Sequence, residues 1–331
     1  MLTVGSPVER VVRPIDHWQQ RHRVPSIAFA VVKKFGDDRG GMLAGMITYY
    51  GFLSLFPLLL IGFTVLGFVA GGPNSQLYRD IQTSALGQFP VVGEQLKTNN
   101  GMHGSAFALV VGGLGLLWGS MGVTQAIQFA FNEAWDVPNK NRASFLPRIL
   151  RGLGLFGVMG LGIVATTALT AIGSIIGHSM LAGALGLAGA LIVNVSLVLV
   201  VFRLLSPKDL GWRDLAPGAV TAAVAWQALQ IVGQSLVRHN LKHMSILYGQ
   251  FAIVLGLIGF LSIAAQVLVY SVELNVVLHK RLWPRSIVQP PLLVADRAAL
   301  TMRATQEERR PEERVNVEWV DPQEPVAQTD A

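Results

Sequence analysis

The 331-residue chain contains no cysteine. That excludes a disulfide framework, a thiol nucleophile and any cysteine-ligated metal site. Charge is scarce as well, with Asp, Glu, Lys and Arg making up 14% of the residues against about 25% in a typical soluble domain. It is also unevenly spread. The stretches 40–78, 98–132, 152–202, 215–237 and 244–272 carry no charged side chain at all. Apolar, uncharged runs of about 18 residues or more are the signature of membrane-crossing helices. A net charge of +6 would suggest nucleic acid in a soluble protein, but here its distribution points elsewhere.

A helix needs about 20 residues to cross the hydrocarbon core. Five runs give one span each, at about 42–71, 104–132, 152–176, 215–237 and 247–277. The 152–202 run is too long for one helix, and the turn around His178 adds a span at about 181–202. The expectation is therefore an all-α, polytopic membrane protein with a bundle of six transmembrane helices. Of the 26 Lys and Arg residues, 22 fall in alternate segments: the first 39 residues, 136–151, 203–214 and the region after Leu278. Basic residues mark the cytoplasmic side, so both termini are expected in the cytoplasm. The first apolar run starts too far in for a cleavable signal, so the first helix should act as its own uncleaved one.

Three domains follow. Residues 1–39 form a cytoplasmic segment in which Ile27, Val31 and Phe35, flanked by Lys33 and Lys34, predict an interfacial helix. Residues 40–285 form the membrane domain. Residues 286–331, rich in Glu, Gln, Arg and Pro, read as a disordered cytoplasmic tail. The external stretch 74–97, with Leu77, Ile81 and Ala85 on one helical face, reads as a surface-lying connector or a lid.

Pro57 interrupts the first apolar run. It leaves the Leu53 carbonyl without its helical donor, a defect that a neighbouring hydroxyl can repair in lipid. Thr48, Tyr49, Tyr50 and Ser54 are the nearest hydroxyls, and Ser54 with Pro57 forms a candidate hinge whose alternative is a kink that only fits the helix to its neighbours.

The residues Tyr49-Tyr50 and Ser54-Leu55-Phe56-Pro57-Leu58 resemble the signature of the YihY/BrkB family of bacterial inner-membrane proteins. Leu117-Trp118-Gly119-Ser120, Asn132-Glu133-Ala134-Trp135, Trp212 to Ala219, Leu247-Tyr248-Gly249 and Glu273-Leu274-Asn275 fall in the family's order along residues 25–285. Ser271-Val272 departs from the Gly-Ala common in the family, which loosens the expectation of close backbone packing there. The resemblance implies six spans, cytoplasmic termini and the cytoplasmic membrane. It brings no settled activity: ribonuclease BN and serum-resistance labels have been attached to the family, and a role in transport or envelope lipid handling has been suggested.

Glu273 is the acidic residue set well inside an apolar span. An intramembrane carboxylate is by default a functional-site hypothesis; it could bind a cation, relay a proton, snorkel or pair with Arg281, and Asn275 adds to its polar surroundings. Gln125, Gln128 and Asn132 share the spacing i, i+3, i+7 with Gln227, Gln230 and Gln234. Such spacing aligns three amides on one helix face. The stripes either glue helices together or line a central polar cavity, and their similar strings, QAIQFAFN and QALQIVGQ, would fit an inverted repeat. His239 and His243 are too few for a metal site.

The leading expectation is ATP-independent transport or binding of a lipid or small solute in the cell envelope. A non-transporting envelope scaffold is the alternative. A membrane-associated ribonuclease is a third reading, for which the cytoplasmic loops are too short to hold a catalytic groove. The chain is expected not to be an enzyme and to use no cofactor or metal. Its expected partners are membrane lipids, with a small solute or ion as candidate cargo, a homo-oligomer as candidate assembly, and no nucleic acid.

Overall fold

The structure, a computed structural model, describes residues 7–69, 121–176, 180–240 and 249–320. Within them the secondary structure is helical: α1 Pro7–Arg21, α2 Arg23–Asp37, α3 Gly40–Val69, α4 over 121–134, α5 Phe145–Ile176, α6 Met180–Leu205, α7 Trp212–Asn240, α8 Gly249–Lys280 and α9 Val294–Thr305, with a 3₁₀ turn at Asn139–Asn141. Four stretches of these helices are long and apolar enough to cross a membrane: Phe145–Gly162, Ala188–Leu205, Trp212–Gly233 and Val254–Lys280. The 74–97 connector, most of the 104–132 run, His178 and His243 lie outside the described residues.

The chain divides into two compact units. The apolar unit comprises Val31–Trp135 and Ala143–Arg281. In it α8 packs on α7 and α3, α6 packs on α5 and α7, and small residues set the spacing. Leu43, Ala44 and Ile47 of α3 meet Ala126 and Ala130 of α4 and Ala265 and Val269 of α8 in one buried cluster. Alanines at a helix contact let backbones approach without stranding a polar side chain in lipid. Gly122 extends the same logic, because a Cβ there would collide with the Tyr50 ring. The crevice between α3, α4 and α8, lined by Ile47, Ala130, Phe131, Leu268, Val269 and Val272, has no room for a water molecule.

The helix α3 continues without a break past position 57. Two of the four hydroxyls expected to repair the Leu53 carbonyl bond elsewhere: Ser54 Oγ donates to the Gly51 carbonyl at 3.0 Å and Thr48 Oγ1 to that of Ala44 at 2.7 Å. A serine or threonine hydroxyl in a helix reaches the carbonyl three or four residues back, so neither can serve residue 53.

The polar unit comprises Met1–Ala30, Asp136–Arg142 and Leu282–Ala331. Its interior departs from the disordered tail expected after residue 285. Arg285 and Asp296 are buried and joined by Arg285 Nε donating to Asp296 Oδ1 at 2.9 Å. Asp296 Oδ2 accepts from Ser286 N, Ser286 Oγ and Leu293 N at 2.9 to 3.2 Å, which starts α9. From α1, Asp16 accepts from the backbone N–H groups of Ile287 and Val288 at 3.1 and 3.2 Å, and Gln19 donates to the Arg285 carbonyl at 2.7 Å. Lys140 pairs with Glu308 at 2.6 Å. Composition alone misreads this tail because its order comes from buried hydrogen-bonded ions, with few apolar residues.

Candidate functional site: a buried ion cluster at one end of the apolar unit

The sequence between residues 27 and 38 places Ile27, Val31, Lys34 and Asp38 at spacings of four, three and four, one face of a helix. Val31 is buried, and Phe35 beside it stacks on Tyr270 of α8 with centroids 3.9 Å apart. The face predicted to be interfacial is therefore packed against protein, and it carries Lys34 and Asp38 inward with it.

Lys34 is 1% exposed and Glu273 is 0% exposed. The Lys34 ammonium bonds to the Asp38 carboxylate and donates to the Ala134 carbonyl at 3.2 Å. Its distance to Glu273 Oε2 is 3.9 Å, an ion pair beyond hydrogen-bond range. The Arg281 pairing that sequence spacing suggests does not hold this carboxylate. Arg281 is exposed, with a φ of 53° that closes α8 in the left-handed conformation common at helix ends. Lys34 could have been found from sequence, since it falls on the apolar stripe of α2. Nothing local tells which distant carboxylate it meets.

Six residues beyond Glu273, α8 presents His279, whose Nδ1 lies 3.2 Å from Asp214 Oδ1 and whose ring lies edge-on to Trp135 at 5.9 Å. Asn275 ties α8 to the early turns of α7, where Pro217 lacks an N–H donor. The fully buried Asn275 amide accepts from Gly218 N at 2.7 Å and donates to the Leu215 carbonyl at 3.1 Å. A Cβ at 218 would collide with the Ser271 carbonyl and the Asn275 side chain. Close packing is thus present at Ser271 after all, with the glycine supplied by the facing helix.

The described members of the amide stripes differ in burial. In α4, Gln125 is exposed, Asn132 is half-buried, and the buried Gln128 donates to the Arg148 carbonyl of α5 at 3.1 Å. In α7, Gln227 is half-buried and Gln230 buried, while the side chains of Gln234 and His239 lie outside the described residues, as does that of Pro57.

The segments that meet at this end, 132–135, 212–219 and 273–275, are among those that carry the family resemblance. The family model described as virulence factor BrkB matches residues 31–290. The chain belongs to this family. It is 25% identical over 298 residues to the inner membrane protein YhjD of Escherichia coli K12, a match covering 80% of this chain and 86% of that protein. An uncharacterized protein of Dickeya dadantii strain 3937 is 26% identical over 248 residues, covering 65% of this chain and 73% of its own. No solved structure matches. With four span-length apolar helices among its described residues, this BrkB-family chain is a multi-pass protein of the inner membrane.

Proposed function

We propose that this protein crosses the inner membrane six times with both termini in the cytoplasm, and that it moves or binds a lipid or small solute without ATP and without catalytic chemistry of its own. The observation that carries the reading is Glu273, fully buried on a span-length helix and facing Lys34, which in turn bonds to Asp38. Withdrawing each such ion from water costs several kcal/mol, and a buried ion pair is often no more stable than apolar residues of the same size. A cluster that adds so little stability is best accounted for by use, as a cation or proton site whose occupancy changes how α2 and α8 hold together. Gln227 and Gln230 of α7 would then face the path taken by the cargo.

A second reading, a non-transporting scaffold, draws support from the Gln128 bond to Arg148 and from the closed crevice between α3, α4 and α8. Native mass spectrometry of gently purified protein separates the two. The transport reading expects a specific lipid retained by the wild type and lost from both Glu273→Gln and Gln227→Leu/Gln230→Leu. Equal, unselective lipid in all three would overturn it and leave the scaffold.

A further inference from the structure

Within the polar unit, α1 turns Asp16 and Gln19 inward and leaves a different kind of surface outside. Ile15 and Trp18 are each 54% exposed, and Val24, in the first turn of α2, is 77% exposed. Trp18 is held at that surface by its neighbour: His22 Nδ1 lies 2.8 Å from the Trp18 carbonyl, and the two rings are 4.9 Å apart. Arg13, Arg21 and Arg23 are exposed on the same stretch, Arg23 lying over the half-buried Trp283 ring at 5.5 Å. Between residues 12 and 30 the acidic side chain is Asp16. It is buried and holds backbone N–H groups. The outward charge of this stretch is therefore of one sign.

Large apolar side chains interleaved with arginines, with no exposed acid among them, complement one surface well: the headgroup layer of an anionic bilayer. A soluble acidic partner would match the charge but would leave Ile15, Trp18 and Val24 without an equally apolar counterpart. A hydrocarbon boundary beside phosphates matches both.

We propose that the outer face of α1 and the first turn of α2 is a docking surface for anionic phospholipid. Ile15, Trp18 and Val24 enter the boundary between headgroups and acyl chains, and Arg21 and Arg23 take the phosphates. This surface requires no transport, so it stands independently of the proposed function.

The absence of native cysteine makes the test direct. Full-length Trp18→Cys and Ile15→Cys proteins, each labelled with an environment-sensitive fluorophore, are placed in nanodiscs whose lipids carry a quencher high on the acyl chain. The discs contain either phosphatidylcholine alone or phosphatidylcholine mixed with phosphatidylglycerol, and Glu307→Cys serves as the control position. The expected result is strong quenching at 15 and 18 in the anionic discs, weakened by salt and by neutral lipid. Each arginine changed in Arg21→Gln/Arg23→Gln should lower the docked population about fivefold. Quenching that is equal in both lipids, or indifferent to the arginine changes, would overturn the proposal. So would cross-linking between copies of the unlabelled Trp18→Cys protein without quenching of the labelled one, which would identify a second copy of the chain as the occupant.

Discussion

The two units bury ions in different ways. In the polar unit, Asp16 and Asp296 each gather four donors at hydrogen-bond distance, half of them backbone N–H groups. A carboxylate so surrounded fixes the path of the chain, here residues 285–293, as a cap fixes a helix end. In the apolar unit the Lys34 ammonium places its shorter contacts on Asp38 and Ala134 and meets Glu273 at 3.9 Å. The first arrangement builds a local fold where apolar residues are few. The second adds charge to a unit that small apolar residues already pack. Burial alone does not separate a structural ion from a functional one; what the ion holds does.

The comparison predicts its largest effect at Asp296. Replacing it with alanine leaves the buried Arg285 guanidinium without its carboxylate and frees Ser286 N and Leu293 N. Removing one partner of a buried pair costs about 3–5 kcal/mol. The expected outcome is rapid proteolysis across 285–293 while the apolar unit keeps its helical circular dichroism. Unchanged protease resistance would show that the cap carboxylate is not what orders this segment.

At the ion cluster the expected loss is smaller, because stranded carboxylates can take up a proton. Lys34→Met should lower the thermal midpoint, and the triple variant Lys34→Met/Asp38→Asn/Glu273→Leu should recover most of the loss, since removing the ammonium together with both carboxylates it meets removes the penalty of leaving a charge unpaired. Strict additivity of the three changes would break the claim that they act as a cluster. Smaller again is Gly218→Ala. The added methyl must push α7 from the Ser271 carbonyl, an overpacking cost of about 1–3 kcal/mol, read as a lower midpoint for unfolding of the apolar unit.

The helices were legible because uncharged apolar runs are a one-dimensional signal. The runs 152–176, 181–202 and 215–237 lie within Phe145–Ile176, Met180–Leu205 and Trp212–Asn240, and the helices extend further because charged residues continue them past the apolar stretch. Pairings between distant positions left no such trace. Nothing near Lys34 names Glu273, and nothing near Asp16 names Ile287 and Val288. The helix α9 was missed because Ala295 and Ala299 are the apolar residues it buries, and its start depends on Asp296 meeting Leu293, Ser286 and Arg285. The stripe of α2 was legible as a stripe, but its periodicity cannot say whether lipid or protein covers it. The Tyr270 ring over Phe35 decides that.

The smallest effect is set by pH and reaches the polar unit alone. Burial works against the charge on Asp16, yet the hydrogen bonds from Gln19, from the Ile287 and Val288 backbone and from Gln20 outweigh it and hold its carboxyl below the usual value of 3.8. A carboxylate depressed in the folded state contributes stability that is present above its unfolded pKa and is lost as pH falls through the folded one. Asp16 should therefore add its full share at neutral pH and lose it only below about 3.8. Asp16→Asn, which cannot carry the charge, should flatten that dependence. The reading is hydrogen exchange at the Ile287 and Val288 amides of wild type and variant as the sample is acidified. Equal acid sensitivity in both would show that Asp16 is not the group whose protonation releases the loop, and that the backbone clamp on the α1 side holds by shape rather than charge.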